Sequence, residues 1–129
     1  MAYFEKHIEK YELFKRDAEN ETVSDPTRIN AYFEAAFHLI EAVCAKHDVH
    51  INKHQNVRSF LEQKKEIFKE ETELVWRKFQ LLENQIRPGQ LYGGKINGEE
   101  LKGAKETFAA IKKVCDKVTE SWSKQSLRS

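Results

Sequence analysis

The chain has 129 residues and a mass of 15.2 kDa, the size of one domain. Hydrophobic residues make up 40% and charged residues 33%, and the formal net charge is +1. Two prolines and five glycines are too few for a β protein with many tight turns. The balanced charge also lacks the basic excess of an extended nucleic-acid-binding surface, so such a role would need a local patch.

The first predicted element is an amphipathic helix over residues 2–18. Phe4, Ile8 and Tyr11 recur at the three- and four-residue spacing of one helix face. A second helix is predicted to begin near Ser24-Asp25-Pro26 and to run to about residue 46. The side chain of Ser24 or Asp25 can cap the first backbone amides, and proline suits the first helical position. The apolar stripe of this helix is Ile29, Phe33, Ala36, Phe37, Ile40, Val43 and Cys44.

Residues 47–54 have no sustained period and are predicted to form a loop. A third helical region is predicted over residues 56–86, with a bend or a solvent-exposed middle near Phe68, because residues 64–73 are nearly all charged. Pro88 ends this region. A fourth helix is predicted from about residue 97, and residues 123–129 are predicted to be a frayed tail. The stripe of this last helix is Leu101, Ala104, Phe108, Ile111, Val114, Cys115, Val118 and Trp122.

Short connections between such helices imply antiparallel neighbours. The predicted fold is therefore all-α, a four- to five-helix up-and-down antiparallel bundle, in a single domain over residues 1–129. Residues 1–7 lack the apolar run of a secretory signal, and the sequence has no run of about 18 to 20 apolar residues, so neither a signal nor a membrane span is expected. Cys44 and Cys115 lie in apolar stripes, as buried reduced cysteines do. These features predict a cytoplasmic protein that does not enter a membrane.

Histidines are the first candidates for chemistry. His47, His50 and His54 provide three imidazoles within eight residues, but a structural zinc site needs a fourth ligand and paired spacings from two elements. We therefore predict no metal and no cofactor. His38 lies beside an apolar helix face, where a packing histidine is expected. The sequence contains no nucleophile elbow and no glycine-rich phosphate loop.

The turn around Arg87 is the candidate binding site. Four of the five glycines lie within residues 89–98, which permits a compact loop with outward-facing amides. Arg87 can bind a phosphate or a partner carboxylate, with Tyr92 supplying a hydroxyl or a stacking ring beside Gly93. The alternative is a basic residue that only stabilises a helix end.

Two residues at the start of the third helical region are further candidates. His54 and Arg58 are four residues apart, so they can face one groove. The alternative is that His54 caps the helix and Arg58 is a surface charge.

Three short stretches resemble HEPN-domain proteins. They are residues 28–42 (RINAYFEAAFHLIEA), residues 54–61 (HQNVRSFL), and Leu82-x4-Arg87 followed by Tyr92-Gly93 and a long closing helix. The resemblance covers about residues 24–120. It implies a four- or five-helix bundle, frequently a homodimer. Many members are metal-independent ribonucleases of toxin–antitoxin or defence systems, encoded beside a minimal nucleotidyltransferase.

The sequence departs from the ribonuclease motif of that family, an Arg followed after four to six residues by a His. Arg87 matches the Arg, but no histidine occurs after His54. Tyr92 is a poor substitute, because its ordinary pKa near 10 does not suit proton exchange near neutrality. An enzyme is therefore not favoured.

The expected function is that of a non-catalytic HEPN-like module that binds a partner protein, a nucleotide or RNA through Arg87, Tyr92 and Gly93, with His54 and Arg58 nearby. The first alternative is a residual ribonuclease that uses Arg87, Tyr92 and His54. The second is a helical adaptor without a small ligand. Self-association as a homodimer is also expected, because Tyr32, Trp76 and Trp122 lie beyond one narrow seam.

Overall fold

The computed structural model describes the backbone of residues 2–86 and 98–128 and the side chains of residues 4–86 and 98–119. Within these ranges the chain forms five α-helices and no strand, so the predicted all-α bundle is confirmed. The helices are α1 (Ala2–Glu19), α2 (Asp25–Ala45), α3 (Val57–Gln63), α4 (Thr72–Gln85) and α5 (Gly98–Arg128). Single 3-10 turns, His54–Asn56 and Lys69–Glu71, precede α3 and α4.

Helices α1 and α2 form an antiparallel pair. Near their connection, Arg28 Nε donates to the carbonyl of Ala18 at 2.8 Å. At the opposite end, the Lys46 ammonium lies over the ring of Phe4, 4.2 Å from its centroid. Residues at the start of one helix therefore meet residues at the end of the other.

Helices α4 and α5 are also antiparallel. The Gln85 side chain donates to the carbonyl of Glu100 at 3.1 Å, and Lys117 pairs with Glu71 at 3.9 Å. Tyr32 of α2 packs against Phe108 of α5 with 5.3 Å between ring centroids. The four long helices thus share one core, and the short α3 lies against α4.

The core is built from the apolar stripes that the sequence predicts. Ile29, Phe33, Ile40 and Cys44 of α2 are at most 1% exposed. On α5, Phe108 is 4% exposed and Ile111 and Cys115 are fully buried, while Val118 is partly buried. None of the helices in the described part of the chain is both long and apolar enough to cross a bilayer.

Two aromatic residues that were predicted to support self-association belong to this core. Tyr32 is 2% and Trp76 is 7% exposed, so neither ring offers surface to a partner. Tyr32 packs on Phe108, and Trp76 lies under the Arg58 guanidinium. The side chain of Trp122 is outside the described residues.

The third helical region is broken, and its middle is not exposed at Phe68. After Gln63 the backbone leaves the helix, and Lys69 has a φ of 53°, which is not compatible with a continuous α-helix through this position. Ile67 and Phe68 are 3% and 2% exposed, whereas the charged residues around them are exposed. The break has a physical reason: it turns two adjacent apolar side chains into the core, which a continuous amphipathic helix cannot do as well.

The ends of α2 and α5 were also subjects of the sequence predictions. Ser24 is at the N-cap of α2, but its hydroxyl donates to Thr27 Oγ1 at 3.0 Å and no side-chain cap bond forms. Helix α5 has helical backbone to Arg128, and the fraying expected from residue 123 stays a prediction. Lys, Gln, Leu and Arg in this last stretch all have high helix propensity, so local sequence does not end the helix.

Candidate functional site

His54 is held against α4 by a carboxylate. Its Nδ1 lies 2.8 Å from Oε2 of Glu83 in the last turn of α4. The imidazole is also nearly perpendicular to the rings of Phe33 and Phe37, with centroids 5.1 and 6.3 Å away. Both apolar contacts come from α2. The ring is therefore fixed between two helices.

The connection that carries His54 is itself anchored. Ile51 is 4% exposed, and its backbone amide donates to Oε1 of the buried Glu41 at 2.8 Å. Asn52 adopts a φ of 68°, and Val57 is buried where α3 begins. These contacts anchor the chain on both sides of His54, so its position does not depend on a long unsupported loop.

This arrangement suits proton exchange or hydrogen bonding at the other ring nitrogen. An ionised Glu83 favours a proton on Nδ1, which leaves Nε2 as an acceptor in the neutral ring and a donor in the imidazolium. The side chain of His54 is 36% exposed and that of Glu83 is 19% exposed. Solvent and solutes can therefore reach the pair.

Arg87, Tyr92 and Gly93 lie outside the described residues. Glu83 precedes Arg87 by four residues in the chain. The described half of the candidate site is therefore His54 with Glu83, at the end of α4 from which the Arg87 segment continues.

Arg58 makes contacts that differ from those of His54. Its guanidinium lies 4.1 Å from the ring centroid of Trp76 and its Nε donates to Glu62 at 3.0 Å. Trp76 comes two helical turns before Glu83 on α4, so His54 and Arg58 contact different parts of that helix. The structure does not bring the two residues onto a common partner.

A second polar cluster was missed by the sequence analysis. It consists of His7 on α1 with His38 and Glu41 on α2, and we call it the buried histidine cluster. The Nδ1 atoms of His7 and His38 are 3.0 Å apart, and Nε2 of His7 is 3.5 Å from Oε2 of Glu41. Burial lowers the pKa of His7, and burial together with His7 and Lys10 lowers the pKa of His38 to about 4.

The sequence held one signal for this cluster. Glu34, His38 and Glu41 follow each other at spacings of four and three, which puts three polar groups on one face of the otherwise apolar α2. His38 is a packing histidine as predicted, because it is 12% exposed and its ring stacks on Phe14 with an interplanar angle of 2°. The pairing with His7, 31 residues away, has no sequence signal.

The remaining candidates from the sequence are the possible metal-ligand histidines and the two cysteines. Across residues 4–86 and 98–119 no group of three His, Cys, Asp or Glu side chains is arranged to hold a metal ion. Cys44 and Cys115 are buried free thiols, as predicted. Burial raises the pKa of Cys44 to about 12, so it stays protonated and unreactive near neutrality.

Comparison with protein-family models, with curated proteins and with solved structures finds no match. The likeness to HEPN domains therefore depends on the three sequence stretches described above, and it stays a prediction. An all-α bundle is the fold that this likeness requires, but many unrelated proteins have such a fold.

Proposed function

We propose that this protein is a non-catalytic, HEPN-like binding module that binds a phosphate-bearing ligand, RNA or a nucleotide, where α4 ends. The observation that carries this proposal is the 2.8 Å contact between His54 and Glu83. It fixes a partly exposed imidazole against Glu83, which precedes Arg87 by four residues in the chain. The proposal combines that imidazole with the Arg87, Tyr92 and Gly93 segment as one ligand-binding end of the bundle.

The chemistry of these groups favours phosphate. A guanidinium can donate two parallel hydrogen bonds to phosphate oxygens, and a tyrosine ring can stack on a base. An imidazole whose Nδ1 is held by a carboxylate can donate from Nε2 when it is protonated. Glu83 opposes anion binding by its own charge, so Arg87 has to supply most of the attraction.

The test is a binding titration of a fluorescein-labelled single-stranded RNA, with unlabelled nucleotides as competitors. Arg87→Ala is expected to weaken RNA binding about tenfold or more, while the free energy of unfolding changes by at most about 1 kcal/mol. Arg16→Ala is the matched control, because Arg16 is an exposed arginine in the last turn of α1. Equal binding by the two variants would reject the proposal. Absence of RNA and nucleotide binding in the wild type would favour a partner protein instead.

One observation favours the ribonuclease alternative. A carboxylate that orients an imidazole through Nδ1 is the arrangement used by general-base histidines, and His54 has this geometry with Glu83. In that reading His54 replaces the histidine that is missing after Arg87. We expect no cleavage of RNA in the presence of EDTA. Cleavage that is lost in both Arg87→Ala and His54→Gln would establish the alternative.

We further propose a homodimer and, as a second partner, a nucleotidyltransferase-type protein, as the resemblance implies. On the described surface, Leu74 and Leu81 of α4 are 38% and 50% exposed and lie two turns apart, so they offer apolar contact area. Sedimentation equilibrium at tens of micromolar tests self-association. A single 15 kDa species would remove the homodimer.

A further inference from the structure

The buried histidine cluster lies in the middle of the α1–α2 interface. The two imidazole rings are stacked with centroids 5.3 Å apart, and His7 and His38 are 16% and 12% exposed. Glu41, the acid of the cluster, is 4% exposed. We infer that this cluster is an acid-sensitive lock, which holds α1 against α2 and releases it when both imidazoles are protonated.

The lock follows from counting protons on the two facing nitrogens. At 3.0 Å the Nδ1 atoms are within hydrogen-bond distance, so one nitrogen must carry a proton and the other must accept it. Two neutral rings satisfy this condition, and so does one imidazolium with one neutral ring. Two imidazolium rings cannot, because both nitrogens would then donate and two positive charges would face each other in a poorly solvated interior. The second proton therefore breaks the contact.

The surrounding charges determine how readily protons are taken up. From α2, Glu34 lies 3.8 Å from Nε2 of His38 and Glu41 lies beside His7, and both acids favour protonation. From α1, Lys10 opposes it at both rings, and from the connection after α2 His50 opposes it at His7.

Burial outweighs the attraction of the two acids. It is the largest cause of the lowered pKa of both His7 and His38, and together with the charges of His7 and Lys10 it lowers the pKa of His38 to about 4. The pair is therefore unprotonated near neutral pH. Both imidazoles become protonated only in acid.

Helix α1 is the element that would be released. Two aromatic side chains of α1 flank His7 and make further contacts: Phe4 lies under Lys46, which directly follows α2, and Phe14 stacks on His38. Tyr11 is its ring contact with α5, at 6.3 Å from Phe108. Helices α2, α4 and α5 pack on each other through other residues, such as Phe33 with Phe79. Loss of the contact between the two imidazoles therefore weakens the α1–α2 interface and leaves the packing among α2, α4 and α5 in place.

The experiment is hydrogen–deuterium exchange at neutral pH and at about pH 4.5, corrected for the intrinsic dependence of exchange on pH. The protection of amides in α1 from exchange is expected to fall about tenfold or more in acid, while the protection of amides in α4 and α5 is unchanged. His38→Asn should abolish this acid effect, because its amide can accept from His7 at the former Nδ1 position but does not titrate. His47→Asn, at an exposed histidine outside the cluster, is the matched control and should respond as the wild type does.

Two results would overturn the lock. Equal loss of protection in α1 and α5 at one midpoint would mean global acid unfolding, and an unchanged acid response in His38→Asn would assign it to other groups. If His38→Asn does not fold, His7→Asn makes the same test from α1. Titration of the imidazole NMR signals of the wild type is an independent measurement. Rings of His7 and His38 that titrate at the ordinary pKa of about 6.5 would also reject the proposal.

Discussion

Replacing Phe108 by alanine is expected to destabilise the protein by about 3 to 5 kcal/mol. Phe108 is 4% exposed, and its ring contacts Tyr11 of α1 and Tyr32 of α2, at 6.3 and 5.3 Å between centroids. The substitution removes a buried ring where three helices meet and leaves a cavity. It also loses two aromatic pairs worth about 0.5 to 1.5 kcal/mol each, against a gain of about 0.5 kcal/mol from the helix propensity of alanine. The expected loss of stability in Phe108→Ala therefore lies in the upper half of the range of about 3 to 5 kcal/mol.

Urea unfolding followed by circular dichroism measures this loss of stability. An equal slope of the unfolding free energy against urea concentration in the wild type and the variant would show that their unfolded states are comparable. Phe108→Leu keeps much of the volume and should lose mainly the ring contacts, about 1 to 3 kcal/mol for two pairs. Leu13→Ala is the surface control, because Leu13 is 55% exposed. It should change the stability by less than about 0.5 kcal/mol. A loss below about 1 kcal/mol in Phe108→Ala would refute the orientation of α5.

Two further predictions concern stability. Gly103→Ala should stabilise the protein by about 0.5 to 1 kcal/mol in the same urea assay, because a Cβ at this position in α5 meets nothing within 4 Å. A loss of stability would show that the site is crowded. The free energy of unfolding should also fall in acid. The pKa of His38 is about 4 in the folded protein and ordinarily 6.5, so the unfolded chain binds this proton at a higher pH than the folded protein does. The stabilisation linked to neutral His38 is therefore complete above about pH 6.5 and is lost as the pH falls toward 4. At pH 5 this loss is about 2 kcal/mol relative to pH 8, partly offset because burial raises the pKa of Glu34. A urea series against pH in which His38→Asn matches the wild type would contradict this assignment.

The long helices could be predicted because their apolar period is continuous. On α5, Phe108, Ile111 and Cys115 follow at three and four, and acidic residues begin the helix. The break between α3 and α4 was located only as a possible bend. Its cause is the joint burial of Ile67 and Phe68, which depends on the core around them and not on the charged residues beside them.

The sites could be predicted only in part. His54 was singled out from its place before a helix, but its partner Glu83 is 29 residues away, and one sequence carries no information on that pairing. The same limit applies to His7 and His38. Arg87, Tyr92 and Gly93 remain a prediction from the turn and from the resemblance to HEPN domains.

Glu41 connects the two polar regions of the molecule. One carboxylate oxygen accepts the amide of Ile51, three residues before His54, and the other faces His7. A buried carboxylate is costly unless it is paired, and both contacts offset the cost of burying this group in the core. The proposals nevertheless fail independently. Arg87→Ala leaves the cluster intact, and His38→Asn removes a titrating group without changing the contact between His54 and Glu83, so each variant answers its own question.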